Sequence, residues 1–290
     1  MDTEPTQVLA SERTESQVLN SWIDDPDANR LFTHQHVDAD AAFSAALVRI
    51  IKPGTLLNFV PANQTIEGDD SIGVDMLNGD QTVKGLEDGS AFGLIVATMA
   101  ERGTVWRRAF GKWANQINLT DSGKWCRDSV LFVQLVRAWR RVGLDDASIV
   151  DRAYEILSGH LEYVKADLES RTASEQHPIN DGIAIILDGQ DVSRYVLFKR
   201  GARVIIYHGE SFGQCIMLSK NEMKQGRSFG ELDGLLPDHW FIHPAGFLAA
   251  HGTKKAPQPL STSGISLENL NSMLLDWLNT SPFGKSGFEG

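Results

Sequence analysis

Two imidazoles and two carboxylates fall within seven consecutive positions of Thr33-His34-Gln35-His36-Val37-Asp38-Ala39-Asp40-Ala41. His34, Asp38 and Asp40 stand at i, i+4 and i+6. A nitrogen donor and two carboxylates packed into one strand-to-helix turn make a compact site for a divalent cation such as Mn²⁺ or Mg²⁺. An Asp ahead of a helix also serves as an N-cap, and a lone His is often only a polar residue. Two of each in one turn favour the metal. His36 fits a supporting role behind the ligands or a solvent-facing turn equally well.

Two further carboxylates could join this turn. Asp75 closes the apolar run Ser71-Ile72-Gly73-Val74. Acids at the carboxyl ends of parallel strands converge on the crevice where such sheets bind ligands, although a strand-ending turn residue is an equal reading. Asp121, in Leu119-Thr120-Asp121-Ser122-Gly123, is either a turn or cap residue or another ligand. Carboxylates crowded together repel without a cation, so metal is expected to stabilise the fold.

Cationic residues gather in two places. Residues 101–141 carry nine Lys/Arg against three Asp/Glu, in a chain whose net charge is −11. Such an island suggests one anion-binding face. Its segment Trp106-Arg107-Arg108-Ala109-Phe110-Gly111-Lys112-Trp113 could stack bases and hold a single-stranded backbone, or form an amphipathic helix with its Trp in the core. The second place is His243 through His251-Gly252-Thr253-Lys254-Lys255, where cations beside Gly suit a phosphate. A hydrogen-bonded His and a solvated Lys pair are the plainer alternatives. No P-loop and no G-x-G-x-x-G occurs. Gly209-Glu210-Ser211-Phe212-Gly213 lacks the helix that a nucleophile elbow requires.

The elements that must position these groups read as α/β. A short helix over 17–23 lies within a polar arm, 1–28. Strands at 31–34, 56–60 and 71–76 and helices at 41–51 and 90–100 favour a mostly parallel sheet with helices on both faces. Residues 104–172 read as mainly helical, and 173–181 as a polar linker. Short β-type runs at 182–187, 195–198, 203–207 and 213–218 suggest a smaller, largely antiparallel α+β domain, ending in an amphipathic helix over 267–278. The domain division is therefore 29–172 and 182–280. A hydrophobic content of 42% suits a sizeable core. Cys126 and Cys215 give neither a disulfide framework nor a zinc spacing. No apolar leader or membrane-length run occurs, so a cytoplasmic protein without membrane contact is expected.

The pattern His34…Asp38-Ala39-Asp40, then Val74-Asp75, then Asp121 resembles the DHH phosphoesterase superfamily. Trp240-Phe241-Ile242-His243-Pro244-Ala245-Gly246-Phe247 is similar to a segment of its melanocyte-proliferating-gene type of 3′–5′ RNA exonucleases. The resemblance implies that His34, Asp38, Asp40, Asp75 and Asp121 hold one or two Mn²⁺ or Mg²⁺ ions, with Asp38, Asp40 and Asp75 catalytic. It implies hydrolysis of a nucleic-acid or nucleotide phosphodiester, the cation acidifying a water and offsetting phosphoryl charge. His36, His243, Gly246, His251, Lys254, Lys255, Arg107 and Arg108 become candidate substrate contacts. In that family the second domain closes on the first. A homo-oligomer or a protein partner is also allowed for.

One departure is plain. The Asp-His-His signature has no counterpart after Asp75, where Lys84-Gly85 or Glu87-Asp88 occupy its place. Three outcomes stay open. One metal replaces two, Lys84 stands in for a cation against phosphate, or catalysis is lost. In the last case a non-catalytic nucleotide-binding or assembly subunit remains.

Overall fold

A computed structural model describes residues 13–85, 89–125, 127 and 130–280. The chain divides into two compact units, 1–165 and 166–290.

In the first unit, β1 (Arg30–His34), β2 (Leu56–Val60), β3 (Ser71–Val74) and β4 (Thr82–Val83) form an all-parallel sheet in the order β2-β1-β3-β4. Parallel neighbours need a crossover, and α2 (Ala39–Ile51) supplies it between β1 and β2. The sequence ADAAFSAALVRII explains its place. Ala39 through Val48 are all buried, as befits a helix that is small or apolar on every side. Pro53 disfavours helix at Lys52 and ends it. β3 stops at Val74 rather than Met76 because Asp75 takes φ 54°, outside the extended region.

The expected arm contains a capped helix, α1 (Glu15–Asp24). Thr14 and Gln17 form a reciprocal capping box, and Val18, Leu19 and Trp22 are buried. Residues 1–12 and Cys126 lie outside the described residues.

The helix expected at 90–100 is α3 (Ala91–Arg102), and the helical stretch after it resolves into α4 (Thr104–Asp121), α5 (Leu131–Arg141) and α6 (Asp146–Gln176). Phe43 of α2 meets Phe132 edge-on with ring centres 4.9 Å apart. Trp106 and Trp113 pack on the buried Phe110 at 6.3 and 5.8 Å, and Trp113 also stacks on His160 at 4.5 Å. These half-buried tryptophans pack against the core, as the amphipathic-helix alternative for 106–113 has it. Apolar burial outweighs exposure for large rings at helical spacing.

Residues 173–176, read as linker, are the last turn of α6. Nothing in them breaks a helix until Pro178 restricts the residue before it. The second unit carries β5 (Ile183–Leu187), α7 (Arg194–Lys199), β6 (Val204–Gly209), β7 (Gly213–Leu218), α8 (Lys220–Lys224), β8 (Phe241–Ile242), β9 (Leu248–His251) and α9 (Leu267–Asn279). Its sheet order is β5-β6-β7-β9-β8, antiparallel except for β5 against β6. That exception corrects the expected strand at 195–198. Parallel β5 and β6 need a crossover, and α7 is the helix within it. Alternation sorts the sheet's faces. Val204, Ile206 and Ile216 pack with Leu270, Leu274 and Trp277, whereas Ala184, Ile186 and Ile205 pack with Leu197.

Candidate metal centre

The site forms at the carboxyl ends of β1 and β3. His34 is the last residue of β1 and Asp75 the first after β3, and their side chains meet at 3.1 Å, Nε2 to Oδ2. The other ring nitrogen, Nδ1, lies 2.8 Å from the Gln35 carbonyl and can only donate to it. That contact fixes the proton on Nδ1 and turns Nε2 toward the acids, the tautomer a metal ligand needs. Asp38 caps α2, its Oδ1 accepting from the Ala41 N–H at 3.0 Å. Cap and ligand are therefore not alternatives here. One ligand atom each of His34, Asp38 and Asp75 lies within 4.8 Å of the others.

Backbone strain accompanies this gathering. His36 has φ 55° and Asp75 φ 54°, a left-handed conformation uncommon for residues other than Gly. Such strain persists where surrounding contacts impose it. For the turn, those contacts come from Asp146, the first residue of α6. Its carboxylate accepts from the His36 N–H at 2.8 Å and the Val37 N–H at 3.1 Å. Arg140 closes the bracket, donating at 2.8 Å to Asp146 and at 2.9 Å to the Val37 carbonyl. Burial alone would raise the Asp146 pKa, but the hydrogen bonds from Arg140, His36 and Val37 hold it below the usual carboxylate range.

Asp40 is placed differently from the other acids. It is buried, and both of its oxygens face the start of α3. Oδ2 accepts from the Ala91 N–H at 2.7 Å, and Oδ1 from the Phe92 N–H at 2.8 Å and the Ser44 hydroxyl at 3.1 Å. It binds a helix N-terminus as an anion would, outside the group of three. Asp121 ends α4, an unfavourable place for a negative charge.

The electrostatics show how tightly the acids are grouped. His34 is raised to about 9, chiefly by its hydrogen bond to Asp75 against the opposing effect of burial. Desolvation and then the charge of Asp75 push Asp38 upward and push Asp40 well above the carboxylate range. Asp121 rises to about 6 through desolvation, Asp75 and Asp38, with Lys84 pulling the other way. Mutual repulsion of this kind is what a bound cation relieves.

Lys84 is exposed, and its backbone N–H reaches Glu15 at 3.3 Å, as that of Gly85 does at 2.9 Å. A Cβ on Gly85 would meet the Ser90 carbonyl carbon at 2.4 Å at a φ of 104°, so this step into α3 requires Gly. Glu87 and Asp88 lie outside the described residues.

Beside the turn opens a cavity of about 690 Å³. Asp38, Asp40 and Asp121 contribute to its lining, together with Trp125, Arg137, Arg140 and Arg141. Motif spacing does not single out Asp146 or these arginines. The basic island was the available signal, and the half of it that lines this cavity is the C-terminal one. Arg107 and Arg108 are exposed on α4 and do not line the cavity.

The C-terminal candidates are mostly engaged within their own unit. His251 is buried, with Nε2 3.0 Å from the Thr262 hydroxyl and 3.3 Å from the Pro259 carbonyl. His243 accepts the Ala245 N–H at 3.1 Å and packs on Phe247 with ring centres 4.4 Å apart. Gly246 has φ 69°, and a Cβ there would stand 1.8 Å from the Ser228 hydroxyl oxygen. It is a packing requirement. Lys254 and Lys255 are exposed.

No protein-family model and no curated protein matches this chain. Solved structures similar to it include RecJ in complex with Mg²⁺ from Thermus thermophilus, at 13% identity and a TM-score of 0.29, over 96% of this chain and 55% of that one. RecJ in complex with Mn²⁺ from the same organism gives 10% and 0.30, over 96% and 57%. Exonuclease RecJ bound to manganese gives 12% and 0.27, over 86% and 91%. The chain thus spans little more than half the length of the first two.

Proposed function

We propose that this chain is a phosphoesterase of DHH type that uses Mn²⁺ or Mg²⁺ to hydrolyse nucleic-acid or nucleotide phosphodiesters, acting as a 3′–5′ exonuclease on short single strands. The observation that carries this reading is the convergence of His34, Asp38 and Asp75, from two strand ends, into one group of donors. The donors suit the cation: a neutral imidazole nitrogen whose partner nitrogen is tied, and two carboxylates. A divalent ion there supplies Lewis acidity and positive charge toward a phosphoryl group.

The protein's own part is to hold that centre. Asp146 and Arg140 fix the turn, and Asp75 orients the imidazole. Asp121 is a further ligand. Asp40 acts as a positioning group that docks α3. Lys84, whose charge acts on Asp121, contacts phosphate. Residues 29–172 form the metal-binding part and 182–280 the substrate-binding part, with His243, Lys254 and Lys255 offered to the nucleic acid.

The test is Mn²⁺-dependent cleavage of end-labelled short RNA and DNA oligomers. A ladder from the 3′ end, lost with EDTA and reduced at least about a hundredfold in Asp38→Asn and Asp75→Asn, is expected. Full activity in both variants would overturn the reading. A second reading, a nucleotide-binding subunit without turnover, is favoured by one observation. Where the family's His pair would lie, this chain has the exposed Lys84 and a Gly85 whose φ of 104° and close approach to Ser90 leave no room for a side chain. Oligomer binding with no cleavage at any Mn²⁺ concentration would select it.

A further inference from the structure

The cavity beside the metal turn is lined by groups of both signs, Asp38, Asp40 and Asp121 together with Arg137, Arg140 and Arg141. The three arginines sit at i, i+3 and i+4 and share one face of α5. Arg140 is engaged by Asp146 and the Val37 carbonyl. Arg137 and Arg141 are exposed, and neither is ion-paired with a carboxylate among the described residues. Two such solvent-facing guanidiniums without a carboxylate partner, side by side in one cavity, are free to take the oxygens of a bound anion.

An aromatic surface lies next to them. Trp125 is 53% exposed, unlike the packed tryptophans of α4. The Arg137 guanidinium stands 6.0 Å from its ring centre, and Ile117, Val133 and Val136 complete an apolar lining. Inorganic phosphate alone would use none of this apolar surface. A volume of about 690 Å³ is within the range of small-molecule sites.

We propose that this cavity binds a nucleoside monophosphate unit, with its base against Trp125 and its phosphate held by Arg137 and Arg141 beside the metal centre. The proposal rests on the reading of that centre as a phosphodiester-hydrolysing site and names the part of the substrate that the first unit grips. Aromatic rings hold bases of any identity, so the pocket accepts purines and pyrimidines alike.

The test is calorimetric titration of the full chain in Mn²⁺ with three probes: AMP, inorganic phosphate and adenosine. AMP should bind at least about tenfold tighter than either fragment. Trp125→Ala should weaken AMP about tenfold and phosphate far less. The double variant Arg137→Gln/Arg141→Gln should weaken AMP and phosphate together. All three side chains are exposed, and a melting temperature matching the wild type would show that folding is intact. AMP binding no tighter than phosphate, or unmoved by Trp125→Ala, overturns the proposal. The two readings fail separately. Oligomer cleavage with AMP binding indifferent to Trp125 removes the pocket and leaves the hydrolase. Trp125-dependent AMP binding without cleavage removes the hydrolase and keeps the pocket.

Discussion

The His34–Asp75 contact sets the pH behaviour of the metal-free site. Asp75 raises His34 from 6.5 to about 9. That pair's contribution to stability is therefore full below pH 6.5 and is lost as pH rises through about 9. Asp121, raised from 3.8 to about 6, favours folding in its protonated form. Its contribution is full below pH 3.8 and is lost as pH rises through about 6. Both slopes run the same way, so these groups make the metal-free protein less stable from about pH 4 toward about pH 9. A cation reverses this, because it displaces the proton from His34 and relieves the repulsion. The melting-temperature gain from saturating Mn²⁺ should grow steadily between about pH 6 and about pH 9, and a gain independent of pH would argue against His34 as a ligand. Asp40 makes a separate prediction. Asp40→Ala leaves the Ala91 and Phe92 N–H groups buried without partners, costing about 2–3 kcal/mol. Urea unfolding should show it, and an unchanged midpoint would contradict the docking role. The ligand types and spacing were legible in the sequence. The division of labour between Asp38 and Asp40 was not, because it depends on where the start of α3 comes to rest.

At the scale of elements, the metal turn is as good as its bracket. Arg140 and Asp146 lie over a hundred residues beyond the turn they hold, and no local pattern links them to it. Arg140→Ala or Asp146→Ala should free the His36–Val37 backbone and weaken Mn²⁺ binding by about 10–100-fold, measured by calorimetry. Affinity equal to wild type in both would show that the turn holds its shape alone. Long elements with strong periodicity were readable. The largely buried α2, the helical stretch of 104–172 and α9 fall close to where burial spacing puts them. The four residues 195–198 were not, since so short a run fits either period, and only the parallel pairing of β5 with β6 requires a crossover there. The tryptophans of α4 follow the same lesson. Their spacing is helical, and their partners, Phe110 and His160, become visible only once α4 and α6 have folded.

At the scale of the whole molecule, each unit carries its own core and its own polar anchor. In the second unit Arg227 is buried, paired with Glu222 at 3.0 Å, and donates to the carbonyls of Trp277 and Leu278 at the end of α9. Arg203 shares Glu222 at 2.7 Å. Glu222→Gln leaves a buried guanidinium without its counter-charge, a loss of about 3–5 kcal/mol. It should lower the urea unfolding midpoint while Mn²⁺ affinity stays at the wild-type value. Loss of metal binding in that variant would contradict the assignment of the cation to the first unit. No helix among the described residues is long and apolar enough to cross a membrane. Everything proposed for the first unit requires that His34, Asp38 and Asp75 hold one cation between them. The most direct measurement is Mn²⁺ uptake by the full chain at about pH 8, where the imidazole proton is displaced more readily than at neutral pH. It is followed by calorimetry or by the ion's spin-resonance signal, for the wild type, Asp38→Asn and Asp75→Asn. Saturable binding by the wild type, and affinity lowered at least about a hundredfold in each variant, is the expected result. Equal uptake by all three proteins, or none by the wild type, would contradict it.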